Sequence, residues 1–291
     1  MPRIVHWVSL AGVVMVTAIA PTRAQDAGVQ VSATARALAP GEVVALAVTA
    51  PADVTAVGTR WREREVPFHR GADGRWHALI GIDVDDTPGP RRVRIAATRP
   101  GGADLEAGHA FTVEPKQWRT RRLTVARRFV NPPASALPRI REETALLNAL
   151  FRAPASAQQW DRAFVRPVEG VAVSGFGVRS VLNGQPRGPH NGADFAAGTG
   201  TPIVAPAAAR VVYAREFYYS GNTVILDHGA GVLSTMAHLS AFDVEEGATV
   251  ARGQLLGKVG ATGRVTGPHL HWSVRLFGAR VDPESLLVAT E

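Results

Sequence analysis

The stretch Gly267-Pro268-His269-Leu270-His271-Trp272-Ser273-Val274-Arg275-Leu276 decides how the C-terminal half is read. Successive side chains of a β-strand point to opposite faces. On a strand, His269, His271 and Ser273 share one face, and Leu270, Trp272 and Val274 share the other. Gly267-Pro268 turns the chain into that strand. More metal donors lie upstream. His190 and Asp194 stand four apart in GPHNGAD (188–194), where Gly188-Pro189 and Gly192 argue against a helix. In an extended chain, positions i and i+4 also share a face. His238, in MAHLS (236–240), is the fifth candidate.

Two histidines and a carboxylate suit a hydrolytic zinc ion, held at roughly 2.0–2.2 Å with a water in the fourth position. The chain has no cysteine, which excludes disulfides and thiolate zinc sites. Without a thiolate, Mn(II) and Co(II) also fit these donors. Such a metal lowers the pKa of its water to about 7. The remaining imidazoles can take the water's proton, stabilise an oxyanion or protonate a leaving amine. Alternation alone leaves open which of His269 and His271 is the ligand.

Around these motifs, residues 167–291 read as a compact, mostly antiparallel β domain with long loops. Strand signals fall at 171–174, 203–205, 210–213, 223–226, 231–233, 257–260 and 271–276. Phe217, Tyr218 and Tyr219 fit a groove wall as well as edge-strand packing. Residues 25–115 alternate in short runs, among them Val43–Val48, Trp76–Val84, Arg92–Ala97 and His109–Val113, separated by Pro/Gly turns. This pattern predicts an immunoglobulin-like β-sandwich without a buried disulfide. Its histidines, His69, His77 and His109, are scattered and form no constellation.

Residues 116–166 form a linker with a net charge of +8, while the whole chain of 291 residues carries +7. That excess fits an anionic polymer or simply a solvated charged face. One helix is expected after Pro138, with Glu142 and Glu143 near its positive end and Pro154 beyond its end. Its apolar side should pack on one of the two domains. At the other terminus, Arg3 precedes an apolar run from Trp7 to Ala20, and Thr22-Arg23-Ala24 ends in a small residue. Residues 1–24 therefore read as a secretory signal peptide. No further segment is long and apolar enough to span a membrane.

Taken in order, GPHNGADFAAGTGTPIVAP (188–206), GNTVILDHG (221–229), STMAHLS (234–240), EEGATVARGQLLGKVGATGRVTGPHLHWSV (245–274) and DPESLL (282–287) resemble the LytM/lysostaphin-type zinc endopeptidases. The resemblance covers about 120 residues, from near Pro167 to Leu287. It implies a mainly β fold: an N-terminal Ig-like sandwich, a short helical linker and a C-terminal antiparallel β peptidase domain. It further implies that His190, Asp194 and His271 hold one Zn2+ per chain, and that His238 and His269 are the catalytic pair. His228, in the Asp227-His228-Gly229 turn, matches a structural position of that family. Met236 and Ala209 depart from the family pattern, where tyrosine and a turn glycine are common; neither is a ligand position.

The activity so implied is an exported, periplasmic zinc metalloendopeptidase. It would hydrolyse peptidoglycan cross-links between D-alanine and diaminopimelate by metal-activated water. The alternative is a non-catalytic LytM-like regulator that binds and activates wall amidases; the presence of all five residues weighs against it. Peptidoglycan peptide stems are the expected partners, with no nucleic acid. The expected protein is a monomer without a membrane span after signal cleavage. The sandwich and basic segment would position the wall, dock wall machinery or cover the groove. Residues 167–291 alone are expected to be at least as active as the mature chain.

Overall fold

The computed structural model describes residues 28–291 and, before them, the two-residue strand Val16–Thr17. Apart from that pair, the signal-peptide expectation lies outside the described residues. Two antiparallel sheets follow. In the first, Val16–Thr17, Gln30–Ala35, Val43–Thr49, Trp76–Gly81 and His69–Arg70 lie side by side in that order. The second has the order Arg64–Pro67, Ala56–Trp61, Gly89–Thr98, Leu105–Val113. Alternation explains the packing. In Gly89–Thr98, Val93, Ile95 and Ala97 are buried, while Arg92, Arg94 and Ala96 are exposed. They join Leu46 and Ile80 of the first sheet in one core, and the Trp61 indole N–H donates to the Gly81 carbonyl across the two sheets (2.8 Å). The strand Ala56–Trp61 was not expected. It buries a polar residue, Thr59, whose hydroxyl donates to the Arg94 carbonyl (2.6 Å), so its pattern hides among polar positions.

The linker holds more than one helix. Thr120–Leu123 pairs in parallel with Arg179–Leu182, which pairs antiparallel with Gln185–Pro189. A four-residue segment with two arginines carries no strand signal of its own; the partner strand supplies it. The helix spans Leu137–Arg152, with Pro138 in its first turn, where a missing N–H costs nothing. Glu142 and Glu143 lie beyond that turn. Glu143 instead accepts from Arg139 Nε (2.6 Å) and from the Tyr218 amide (2.8 Å). No helix residue is fully buried, and Leu147 and Phe151 line a cavity.

The C-terminal sheet runs Ala172–Ser174, Gly192–Phe195, Leu270–Leu276, Val232–Phe242, Gly221–Gly229, Ala209–Phe217, Thr249–Val250. Trp272, Phe195, Met236 and Leu239 fill its core. Met236 and Ala209, the two departures noted above, are both fully buried there. Several polar ties join this sheet to the N-terminal ones. Arg280 Nε donates to Asp83 (3.0 Å), Arg36 bridges Glu42 and Asp282 (2.8 and 2.6 Å), and the Val43 amide donates to Ser285 Oγ (2.8 Å). Among the described residues, no helix is long and apolar enough to cross a membrane.

His228 is fully buried, between the Ala208 carbonyl (3.0 Å) and Ser234 Oγ (2.7 Å). Burial pushes its pKa down to about 4, against smaller upward contributions from Ala208 and Asp227. The folded state therefore prefers neutral His228. Its contribution is complete above the unfolded value near 6.5 and is lost as pH falls through about 4. The amount is about 3 kcal/mol. The stability gap between wild type and His228→Gln, from urea unfolding, is expected to narrow between pH 7 and pH 4. A constant gap would show that His228 does not titrate with unfolding.

Candidate metal centre

Backbone register assembles the site. Asp194 is the cross-strand partner of His271, and Ala237 pairs with His271 from the other side. Neighbouring strands thus carry the carboxylate and one imidazole on a common face. His190 sits just beyond Gln185–Pro189, its amide donating to the Val178 carbonyl (2.9 Å). Gly192 permits the close approach of its strand: a Cβ there would collide with the Trp272 carbonyl oxygen. As expected from alternation, Leu270, Trp272 and Val274 are buried, and His269, His271 and Ser273 line the cavity.

Three donor atoms converge. His190 Nε2 lies 2.9 Å from Asp194 Oδ1, His271 Nδ1 lies 2.9 Å from the same oxygen, and the two nitrogens are 3.1 Å apart. The spacing is close to the ~3.4 Å edge of a tetrahedron with ~2.1 Å bonds. The other nitrogen of His190, Nδ1, contacts the Gly175 carbonyl (3.0 Å) and so carries a proton. Nε2 then points a lone pair at a carboxylate, and only a positive charge between them satisfies both. A divalent ion fits that place, and the set of two imidazoles and a carboxylate is one that zinc accepts.

Burial alone would raise the Asp194 pKa, but hydrogen bonds and charges from His190 and His271 outweigh it and hold the carboxyl far below the usual range. Burial lowers the His271 pKa, partly offset by Asp194. His269 stands outside the triangle: its Nε2 is 3.7 Å from Asp194 Oδ1, and its Nδ1–H donates to the Gly267 carbonyl (2.9 Å). His238 faces it, ring centroids 4.9 Å apart, with Nδ1–H on the Thr262 carbonyl (2.8 Å). Burial first, then the neighbouring His271 and His269, push the His238 pKa down to about 3. His238 has φ +69°, a left-handed backbone that a non-glycine residue rarely adopts. Register shifts on both flanks of Val232–Phe242 accompany it. That conformation takes His238 out of simple strand alternation, which no sequence pattern announced.

The five histidine and aspartate positions singled out from the sequence are thus brought together. His228 lies elsewhere, in the core. Phe217 and Tyr219 line the cavity, whereas the Tyr218 hydroxyl turns away to the Arg128 carbonyl (2.8 Å). Arg121 was not foreseen. It reaches in from the parallel strand of the linker, 3.5 Å from Asp194 Oδ2 and 3.1 Å from Ser180 Oγ, and also donates to Ser174 Oγ. Its only sequence signal was a general excess of arginine.

Two histidines and an aspartate whose donor atoms converge, flanked by two further imidazoles, form a cluster suited to hold a metal ion. Residues 188–283 match peptidase family M23. A crystal structure described as a peptidase M23 from Pseudomonas aeruginosa superposes with a TM-score of 0.66 at 34% identity, covering 86% of this chain and 95% of that one. The peptidoglycan DD-endopeptidase ShyA of Vibrio cholerae is 45% identical over 94 residues, 32% of this chain and 22% of ShyA. The DD-carboxypeptidase/endopeptidase Mpg of Neisseria meningitidis is 44% identical over 101 residues, 35% of this chain and 23% of Mpg. The chain thus spans less than a quarter of the length of these curated relatives. The chain belongs to peptidase family M23.

Proposed function

We infer that the protein is an exported, zinc-dependent endopeptidase that hydrolyses peptide cross-links of peptidoglycan, the D-alanyl–diaminopimelate bond in particular. The observation that carries this reading is the convergence of His190 Nε2, Asp194 Oδ1 and His271 Nδ1, with His238 and His269 free of that triangle. The names of ShyA and Mpg support the substrate class. The signal-peptide pattern of residues 1–24 supports export.

His190, Asp194 and His271 would hold the ion, which when bound supplies Lewis acidity towards water and the peptide carbonyl. The proton chemistry belongs to the remaining imidazoles. With its Nδ1–H tied to Gly267, His269 presents Nε2 towards the site to accept the proton of an attacking water. His238, with its Nδ1–H tied to Thr262, is neutral at pH 7. Its second nitrogen can then shuttle a proton to the departing amine. Leu147 and Phe151 of the linker helix, on the cavity wall, help to exclude water.

Purified protein incubated with isolated cell walls should release uncross-linked muropeptides, read by mass spectrometry, and a chelator should stop the release. Walls left intact by metal-loaded protein would favour the non-catalytic regulator instead. Arg121 should matter for the ion itself, because it holds the second oxygen of Asp194. Arg121→Gln is expected to weaken zinc binding about tenfold, measured by competition with a chromophoric chelator. Unchanged affinity would make the contact incidental. Thr120–Leu123 also contributes a strand to the sheet beside His190. Residues 167–291 alone are therefore expected to bind metal more weakly than the full chain.

A further inference from the structure

Among the described residues, the cavity beside the candidate metal centre, about 710 Å³, is lined by four arginines, Arg121, Arg187, Arg264 and Arg275, and by one acidic residue, Asp194. Two of the arginines are already engaged. Arg121 lies on Asp194, and Arg275 stacks on the Phe151 ring at 4.6 Å and donates to the Gly278 carbonyl (3.2 Å). Arg187 and Arg264 make no ion pair with any described residue. Asp194 does not serve them, since three imidazoles and Arg121 already surround it.

Both guanidinium groups are held in place. Arg264 lies over the Tyr219 ring at 5.0 Å, and its amide donates to the Tyr219 carbonyl (2.8 Å), fixing the loop after Thr262. Arg187 precedes the ligand strand and donates to the Val130 carbonyl (2.9 Å) and to Gln185 Oε1 (3.0 Å). The two positive charges are near enough to repel. Burial, and then the charge of Arg187, lower the pKa of Arg264 despite its contact with Tyr219. Partly desolvated like charges without a counter-ion are costly, and an anion bound between them removes the cost. The planar guanidinium fork favours a carboxylate over a point-charge partner. Arg187 stands on the His190 side of the cavity, and Arg264 on the side of the loop that holds His238.

We propose that Arg187 and Arg264 form a carboxylate-binding subsite that selects peptides bearing a free carboxylate next to the scissile amide nitrogen. The proposal rests on the endopeptidase reading above and names its selectivity. In a D-alanyl–diaminopimelate cross-link, the carbon attached to the leaving nitrogen carries such a carboxylate. In a polyglycine bridge, the corresponding carboxyl is consumed in the next amide, so the chain is neutral there. The two arginines therefore distinguish a direct cross-link from a glycine bridge.

The test uses two synthetic peptides that differ only at that group, one a carboxylate and the other its carboxamide. Their hydrolysis by zinc-loaded full chain is compared, and their binding to metal-free full chain is measured by calorimetry. The expected result is a preference of about tenfold or more for the carboxylate in kcat/KM, carried mainly by KM, and in binding. The preference should fall towards unity in Arg264→Gln and in Arg187→Gln, and should be partly kept in Arg264→Lys. Thermal unfolding checks each variant, and either arginine alone suffices if the other variant does not fold. Equal binding of both peptides by wild type, or no measurable binding of either, overturns the subsite even if both are cut. A carboxylate preference in binding that the variants lose supports the subsite even where neither peptide is cut; that outcome removes the hydrolase reading alone.

Discussion

His271→Ala is expected to strip zinc from the purified protein and to lower cross-link hydrolysis by on the order of 10³-fold or more. His271 Nδ1 shares Asp194 Oδ1 with His190 Nε2, all within about 3 Å of one another. Removing one donor leaves an imidazole and a carboxylate, too few to compete with solvent for the ion. Loss of the ion also leaves Nε2 of His190 facing a carboxylate with only a proton to separate them. Zinc per chain after gel filtration, together with muropeptide release, measures both effects. Full retention of zinc by the variant would remove His271 from the ligand set. The same double loss is expected for His190→Ala and Asp194→Ala.

His269→Ala is expected to do the opposite on one axis: zinc stays, and hydrolysis falls by about 10²–10⁴-fold. Its Nε2 lies 3.7 Å from Asp194 Oδ1, beyond the contacts that tie the other three residues, and Nδ1–H is anchored on Gly267. His238 should behave in the same way. For that position His238→Asn is the cleaner substitution, because asparagine tolerates the left-handed backbone at φ +69° better than alanine. An alanine there would mix a backbone penalty with the chemical loss. If His269→Ala lost zinc and His271→Ala kept it, the roles assigned to the two histidines would be exchanged.

These variants bear on what was legible beforehand. The strand Leu270–Leu276 and its two faces follow from residue alternation, because one side is packed in a core and the other is not. The same reasoning located most strands of residues 43–113. It failed for Ala56–Trp61, where buried Thr59 breaks the apolar count. It failed again for Thr120–Leu123, whose strand character comes from a partner almost sixty residues away. The helix was foreseen, but its role was not. Glu143 answers Tyr218 and Arg139 rather than the helix's own positive end.

By itself, the sequence determined the chemical inventory: four histidines and an aspartate in glycine-rich β segments, and no thiolate. Spacing within one segment also determined which neighbours share a face, because strand geometry is local. The tertiary structure decided which atoms meet. Cross-strand register set Asp194 opposite His271 rather than His269. A left-handed residue turned His238 into the cavity, and a distant parallel strand brought Arg121 onto Asp194. It also placed Arg187 and Arg264 in the same cavity, without an ion pair to any described residue. The physical reason is common to all four: hydrogen-bond register and charge balance are properties of chain segments packed together, and no single segment records them.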